Sequence, residues 1–454
     1  MALIATNPRA PLAGARVNPA AVARAPQAGK IKHVVVIMQE NRSFDEVLGY
    51  WCTHPVHHCN GYVGPVHLQG GGVATMTQSP DVITNDPPHS VIAQTTAIDG
   101  GKMDGWKNLG TTCHSPGRND CLTYYKPSQI PALTALASRY AVSDHTFTAQ
   151  DSPSWGGHMW DATATQDGFT GDIPYNAYGK PSWGCDADLY ADWISSSGVK
   201  SLQPSCIPAP AGLLSPSKYP YRGAFAPTKV ANVPTIFDRL DQKHLPWRIY
   251  ETIDTWSPCP TFAECLYGPQ RHNEVSTGTV LGDAKNGKLP AYSVVVPDGP
   301  GGGTGQHAPS SMLVGDNWLG KLVTALQKSP DWSSTAIFIT YDDCGCYYDH
   351  VAPGRNPDGT EQGLRVPMVI ISPYAKRDGV DSTPATFASF LRFTEEAFGL
   401  APLTVNDAKA YDYRNAFNFS APPTAPRVWP RQQPVPKGTQ ALVASLPPVA
   451  DDPT

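Results

Sequence analysis

Residues 33–45 read His33-Val34-Val35-Val36-Ile37-Met38-Gln39-Glu40-Asn41-Arg42-Ser43-Phe44-Asp45. A continuous apolar run of this length marks a strand buried on both faces, as parallel strands are when helices cover their sheet. The run turns polar at once, leaving Glu40 and Asn41 just past its carboxyl end. Similar runs recur at 247–250, 291–296, 335–341 and 367–372. Helical patterns lie between and after them at 130–140, 235–243, 316–328 and 384–398, the last with Phe387, Phe390, Leu391 and Phe398 on roughly one face. This alternation predicts an α/β fold with a mainly parallel central sheet and helices on both faces. The domain is expected over 31–420. Residues 157–234, rich in Gly, Pro, Ser, Trp and Tyr, read as a loop-rich cap insertion. Residues 1–30 are Ala/Pro-rich and 421–454 carry nine prolines, so both read as tails.

The chain has 454 residues, of which 41% are hydrophobic and 16% charged. That is too apolar for a disordered chain and too polar for a membrane bundle. Lys plus Arg number 34 against 39 Asp plus Glu, a formal net charge of -5, so no basic field exists to collect nucleic acid. No stretch approaches the roughly 18 consecutive apolar residues of a spanning helix. A transmembrane segment is therefore not expected, which leaves room for transient contact with a membrane surface.

Ten cysteines fall into close sequential pairs: Cys52 with Cys59, Cys113 with Cys121, Cys185 with Cys206, Cys259 with Cys265, and Cys344 with Cys346. Locally stapled loops in an oxidising compartment are the natural reading, and they imply a secreted or periplasmic protein. A bridge across Cys344 and Cys346 would be strained, so these two pair elsewhere or stay reduced. The first 30 residues lack the charged start and apolar core of a leader, which is accordingly expected to be removed. The stretch Cys52-Thr53-His54-Pro55-Val56-His57-His58-Cys59 has the composition of a zinc site, but beside the other pairs it reads as a disulfide-closed loop displaying histidines.

In a sheet of this kind ligands collect at the carboxyl ends of the strands. The strand at 335–341 ends in Asp342-Asp343. Adjacent acids repel unless a cation or a proton lies between them, so this pair is a candidate site for a divalent metal with oxygen ligands, which Glu40 and Asn41 can complete. Calcium, magnesium, manganese and iron all suit such a set.

Four blocks resemble a known family. They are residues 33–45 quoted above; Asp86-Pro87-Pro88-His89-Ser90 with Gly101-Lys102-Met103-Asp104-Gly105; Tyr341-Asp342-Asp343 through Asp349-His350-Val351; and Gly363-Leu364-Arg365-Val366-Pro367-Met368-Val369-Ile370-Ile371-Ser372-Pro373. In this order they are similar to the bacterial phosphoesterases that include phospholipases C and related acid phosphatases. The resemblance implies an alkaline-phosphatase-like α/β fold, with Glu40, Asn41, Asp342 and Asp343 as metal ligands and a hydroxyl nucleophile that becomes phosphorylated. Where the family has Gly-Pro-Thr/Ser followed by Pro-Asn-Arg, this chain has Asp151-Ser152-Pro153-Ser154-Trp155-Gly156-Gly157-His158. Ser154 aligns best as the nucleophile, with Ser152 as its competitor.

A phosphoryl transition state spreads negative charge over its oxygens, and the departing alkoxide needs a proton. His307, His350 and His89 are the candidates for phosphate binding or general acid catalysis. His307 follows the glycine run 299–305, which lacks the ending of a phosphate-binding loop. Trp51, Trp106, Trp155, Trp160 and Trp183 either line a substrate pocket or fill the core. The expected function is metal-dependent hydrolysis of a phosphate ester or phospholipid through a phosphoserine. The competing expectation is a secreted binding or surface protein with the same fold and no activity. A sulfatase is disfavoured, because no Cys/Ser-X-Pro-X-Arg sequence occurs.

Overall fold

The structure, a computed structural model, describes residues 25–113, 119–174, 183–187, 189–214, 228–252, 256–299 and 303–446. Eight strands make the central sheet: β1 (His33–Gln39), β2 (Ala141–Ser143), β3 (Trp247–Tyr250), β4 (Glu274–Val275), β5 (Tyr292–Val295), β6 (Thr335–Tyr341), β7 (Met368–Ile371) and β8 (Gly379–Asp381). Their order across the sheet is β4-β3-β5-β1-β6-β7-β2-β8. Every neighbouring pair is parallel except the two that involve β7, which runs against both β6 and β2. The sheet is thus mainly parallel, as the apolar runs required.

All seven residues of β6 are buried, whichever face their side chains occupy. Both faces of the sheet are therefore covered there. The covering helices are α1 (Pro131–Ala137), α2 (Ser154–Thr163), α3 (Ile236–Gln242), α4 (Met312–Gln327) and α5 (Phe387–Phe398). Helix α1 packs on α4, and α2 packs on α3 and α5. Each start has a local cause. Thr235 and Asp238 form a reciprocal capping box on α3, Ser311 accepts from the Val314 N–H on α4, and Thr386 with Ser389 closes α5. The two carboxylate oxygens of Asp316, inside α4, accept from the Ala132 and Leu133 N–H groups at 2.8 Å, capping α1 from a neighbouring helix.

Helix α2 runs across residue 157, where the loop-rich cap was expected to begin. Beyond it lies the antiparallel hairpin of Tyr190–Ile194 and Lys200–Pro204, with residues 175–182, 188 and 215–227 outside the described set. The five tryptophans are all buried in the core. Four of the expected disulfides are present, Cys52–Cys59, Cys113–Cys121, Cys185–Cys206 and Cys259–Cys265, while Cys344 and Cys346 are buried free thiols.

A buried ion network ties the segments that leave the sheet. Arg365, just before β7, donates from Nε to Asp349 Oδ1 at 2.8 Å and reaches Asp45 Oδ1 at 3.3 Å, with all three side chains fully buried. It also donates to the Asp144 carbonyl at 2.6 Å and to the Asn60 carbonyl at 2.8 Å. The loops after β1, β2 and β6 thereby share one cation. Removing one partner of such a group leaves uncompensated buried charge. Arg365→Ala is expected to lower unfolding free energy by about 3–5 kcal/mol in a denaturant titration.

Candidate active site

Strands β1 and β6 pair in parallel register from His33 opposite Thr335 to Gln39 opposite Tyr341, so residues 40–41 and 342–343 leave the sheet side by side. Pairing continues past the strands, since the Asp342 N–H donates to the Gln39 carbonyl at 2.9 Å and the Arg42 N–H to the Asp343 carbonyl at 3.0 Å. Asn41 sits at φ 55°, a left-handed conformation that asparagine tolerates better than most residues. Its N–H donates to Asp342 Oδ1 at 2.9 Å, which locks the two pairs together.

Ser154 is the first residue of α2. Its Oγ lies 3.3 Å from each of Glu40 Oε2, Asn41 Oδ1 and Asp343 Oδ2, all fully buried. A hydroxyl has one proton to give, so it satisfies at most one of these three oxygens. Asp342 Oδ2 has no hydrogen-bond partner among the described residues. Burial first, and then the carboxylates of Asp342 and Asp343, hold the Glu40 carboxyl well above the usual range. Like charges crowded in a dry site need a proton or a cation between them. The donor set of Glu40, Asn41, Asp342, Asp343 and Ser154 therefore fits a divalent cation. Close approach of α2 depends on Gly157, where a Cβ would stand 2.4 Å from the Asp342 carbonyl oxygen.

Ser152 Oγ is hydrogen-bonded to the Gln166 amide at 2.7 Å. His89 Nδ1 faces the Pro87 carbonyl at 2.8 Å, and since a carbonyl only accepts, that nitrogen carries the proton. Its Nε2 then accepts from the Asn41 side-chain N–H at 3.2 Å, an arrangement that turns the Asn41 oxygen toward Ser154. The His307 ring stacks on Trp256, directs Nδ1 to the Ala308 carbonyl, and places Nε2 3.9 Å from Asp86 Oδ2. His89 and His307 meet edge to face, with ring centroids 6.1 Å apart. The structure thus groups Glu40, Asn41, Asp342, Asp343 and Ser154, with His89 and His307 along one side.

His350 lies in a different group. Its Nδ1 is 2.6 Å from Asp45 Oδ2 and its Nε2 3.0 Å from Asn60 Oδ1, within the Arg365 network. Burial raises its neighbour Asp349 to about 6 despite the Arg365 guanidinium.

One residue at the site was not anticipated. His158 is fully buried one turn along α2 from Ser154, with Nε2 3.0 Å from Glu40 Oε1 and 4.0 Å from Asp342 Oδ2. Its Nδ1 faces Asp161 Oδ2 at 3.8 Å. Burial by itself lowers the ring's proton affinity, but the carboxylates of Asp161 and Asp342 outweigh it and hold the imidazole above its ordinary range. The signal available in the sequence was the i, i+4 spacing of Ser154 and His158, which places both on one face once the segment is known to be helical.

Non-specific phospholipase C1 of Arabidopsis thaliana is 25% identical over 391 residues, covering 78% of this chain and 63% of that protein. Non-hemolytic phospholipase C of Burkholderia pseudomallei is 27% identical over 463 residues, covering 88% of this chain and 60% of that protein. The chain spans about three fifths of the length of these curated relatives. Among solved structures, a protein in the alkaline phosphatase superfamily from Vibrio parahaemolyticus aligns with 86% of this chain and 71% of its own at 13% identity and a TM-score of 0.36. The α/β class itself rests on the sheet described above. The sequence model of the phosphoesterase family matches residues 31–401, a span that contains both acidic pairs, Ser154 and all the histidines discussed above, and the chain belongs to that family.

Proposed function

We propose that this chain hydrolyses phosphate esters with Ser154 as nucleophile, and that its substrate is a phospholipid whose headgroup phosphate is cleaved from the lipid alcohol. The observation that carries the reading is the Ser154 hydroxyl 3.3 Å from three buried oxygens of Glu40, Asn41 and Asp343. The phospholipid is supported by the relatives named phospholipase C. Four disulfides support a secreted or periplasmic setting. Among the described residues no helix is long and apolar enough to cross a membrane.

Glu40, Asn41, Asp342 and Asp343 would hold the cation, which when bound lowers the proton affinity of the Ser154 hydroxyl and neutralises charge on the phosphoryl oxygens. Ser154 Oγ attacks phosphorus, the bond to the alcohol breaks, and the departing oxygen takes a proton. Water then cleaves the phosphoserine and releases the phosphorylated headgroup. Ser154 opens helix α2, so unpaired N–H groups of the first turn lie near the developing negative charge. In this reading His89 keeps the Asn41 oxygen aimed inward, and His307 binds a phosphoryl oxygen or protonates the departing alcohol. His350, with both ring nitrogens committed to Asp45 and Asn60, takes a structural role.

The test measures phosphocholine release from phosphatidylcholine vesicles and nitrophenol release from p-nitrophenyl phosphate. Ser154→Ala is expected to lose about a thousandfold or more of the parent's rate, and Ser152→Ala to stay within about threefold. Equal rates for Ser154→Ala and the parent would remove Ser154 from its role. A parent active only on the monoester would replace the lipid by a phosphomonoester, and a parent inactive on both would support the secreted binding protein. Chelation of divalent ions is expected to cut the rate by about a hundredfold or more, with recovery on adding a divalent salt.

A further inference from the structure

We propose that His158 is a nitrogen ligand in the cation centre, that Asp161 positions it, and that this pair makes the centre select a divalent transition ion over calcium or magnesium. The inference rests on the functional reading above for the existence of the centre. It goes further by assigning a ligand outside the two acidic pairs and by naming the class of ion.

Three observations converge. First, Glu40 presents its two oxygens to different partners, Oε2 to Ser154 at 3.3 Å and Oε1 to His158 Nε2 at 3.0 Å. The imidazole therefore lies against the same carboxylate as the hydroxyl. Second, Glu40, His158 and Asp342 each offer one ligand atom, and the three lie within 4.8 Å of one another, all on buried residues. The 3.0 Å from Nε2 to Glu40 Oε1 is the separation of adjacent ligands around a common ion with bonds of about 2.1 Å, and the 4.0 Å to Asp342 Oδ2 is that of a ligand on the far side of the same ion. Third, groups that ordinarily demand hydrogen bonds lack them here. Among the described residues Asp342 Oδ2, His158 Nδ1 and both Asp161 carboxylate oxygens make none, although all are buried. Unsatisfied buried polar atoms cost about 1–3 kcal/mol each, and a cluster of four calls for an explanation.

A bound ion accounts for Asp342 Oδ2 directly, and for His158 Nδ1 with Asp161 Oδ2 through the second ring N–H. With a cation at Nε2, the other ring nitrogen must carry a proton and needs an acceptor, and Asp161 Oδ2 faces it at 3.8 Å. Metal-bound histidines usually donate their second N–H to a carboxylate or a carbonyl, which fixes the ring and raises its basicity. Asp161 is placed for that task three residues along α2, where side chains share a face. A purely oxygen-bearing centre suits calcium, magnesium and manganese, whereas an imidazole ligand favours zinc, iron or cobalt.

The test uses the full chain, stripped with chelator and titrated calorimetrically with Co²⁺, Zn²⁺, Mn²⁺, Mg²⁺ and Ca²⁺. The expected result is that Co²⁺ and Zn²⁺ bind at least about tenfold more tightly than Mg²⁺ or Ca²⁺. His158→Gln is expected to weaken Co²⁺ and Zn²⁺ by about 10- to 100-fold while changing Ca²⁺ by less than about threefold, and Asp161→Asn to weaken Co²⁺ by about tenfold. In the Co²⁺ protein, proton NMR should show a strongly shifted exchangeable imidazole N–H that His158→Gln lacks. If His158→Gln does not fold, Asp161→Asn and the NMR signal of the parent decide the matter. Undiminished Co²⁺ affinity in the variants, no shifted signal, or equal affinity of the parent for all five ions would overturn the inference and leave the centre intact. A parent that binds none of the five would overturn the centre as well.

Discussion

Two parallel strands ending at the same level are the constraint from which the rest of the site follows. Because β1 and β6 pair in register up to Gln39 and Tyr341, the next two residues of each have nowhere to go but toward one another. Asn41 in a left-handed turn, bonded through its N–H to Asp342, holds that convergence. Helix α2 can then seat Ser154 above the junction, since Gly157 offers no side chain to the Asp342 carbonyl. Residues three hundred positions apart in the chain are brought together by backbone pairing, before any side chain chooses a partner.

Two of the buried acidic groups among the described residues are treated differently. Asp45 and Asp349 share the guanidinium of Arg365, so that group is compensated from within the chain and fastens three loops. Glu40, Asp342 and Asp343 face a hydroxyl, an amide and an imidazole instead, and Glu40 is driven toward its protonated form by burial and by its acidic neighbours. One group is compensated by a guanidinium and helps to hold the fold together; the other packs its carboxylates around a hydroxyl, an amide and an imidazole.

Much of this was legible in the residues. The strands at 247–250 and 335–341 occur at the expected bounds, and the run at 33–38 extends by one residue to Gln39. Continuous apolar runs report burial on both faces, which is why they succeeded. The short strands at Ala141–Ser143, Glu274–Val275 and Gly379–Asp381 escaped, because two or three residues carry no periodicity. The four oxygen-bearing residues and Ser154 were named from motifs and do meet. His350 was grouped with the other histidines because it follows the Asp342-Asp343 block in sequence, yet the chain turns and presents it to Asp45. His158 and Asp161 carry no comparable signal: a stretch of Gly, Trp and Ser reads as loop, and only its helical form brings His158 against Glu40 with Asp161 on the ring's other nitrogen.

The disulfides close loops of 6, 7, 8 and 21 residues, and none joins distant parts of the sheet. Each therefore restrains only its own excursion, by about 2–3 kcal/mol for loops so short on the chain-entropy account. What joins one excursion to another is non-covalent: the Arg365 network for the loops after β1, β2 and β6, and backbone bonds from Cys185 to Pro260 at 2.7 Å and from Ile207 to Thr261 at 2.8 Å for two of the stapled loops. Reducing conditions would therefore loosen each excursion within itself while the ties between them persist.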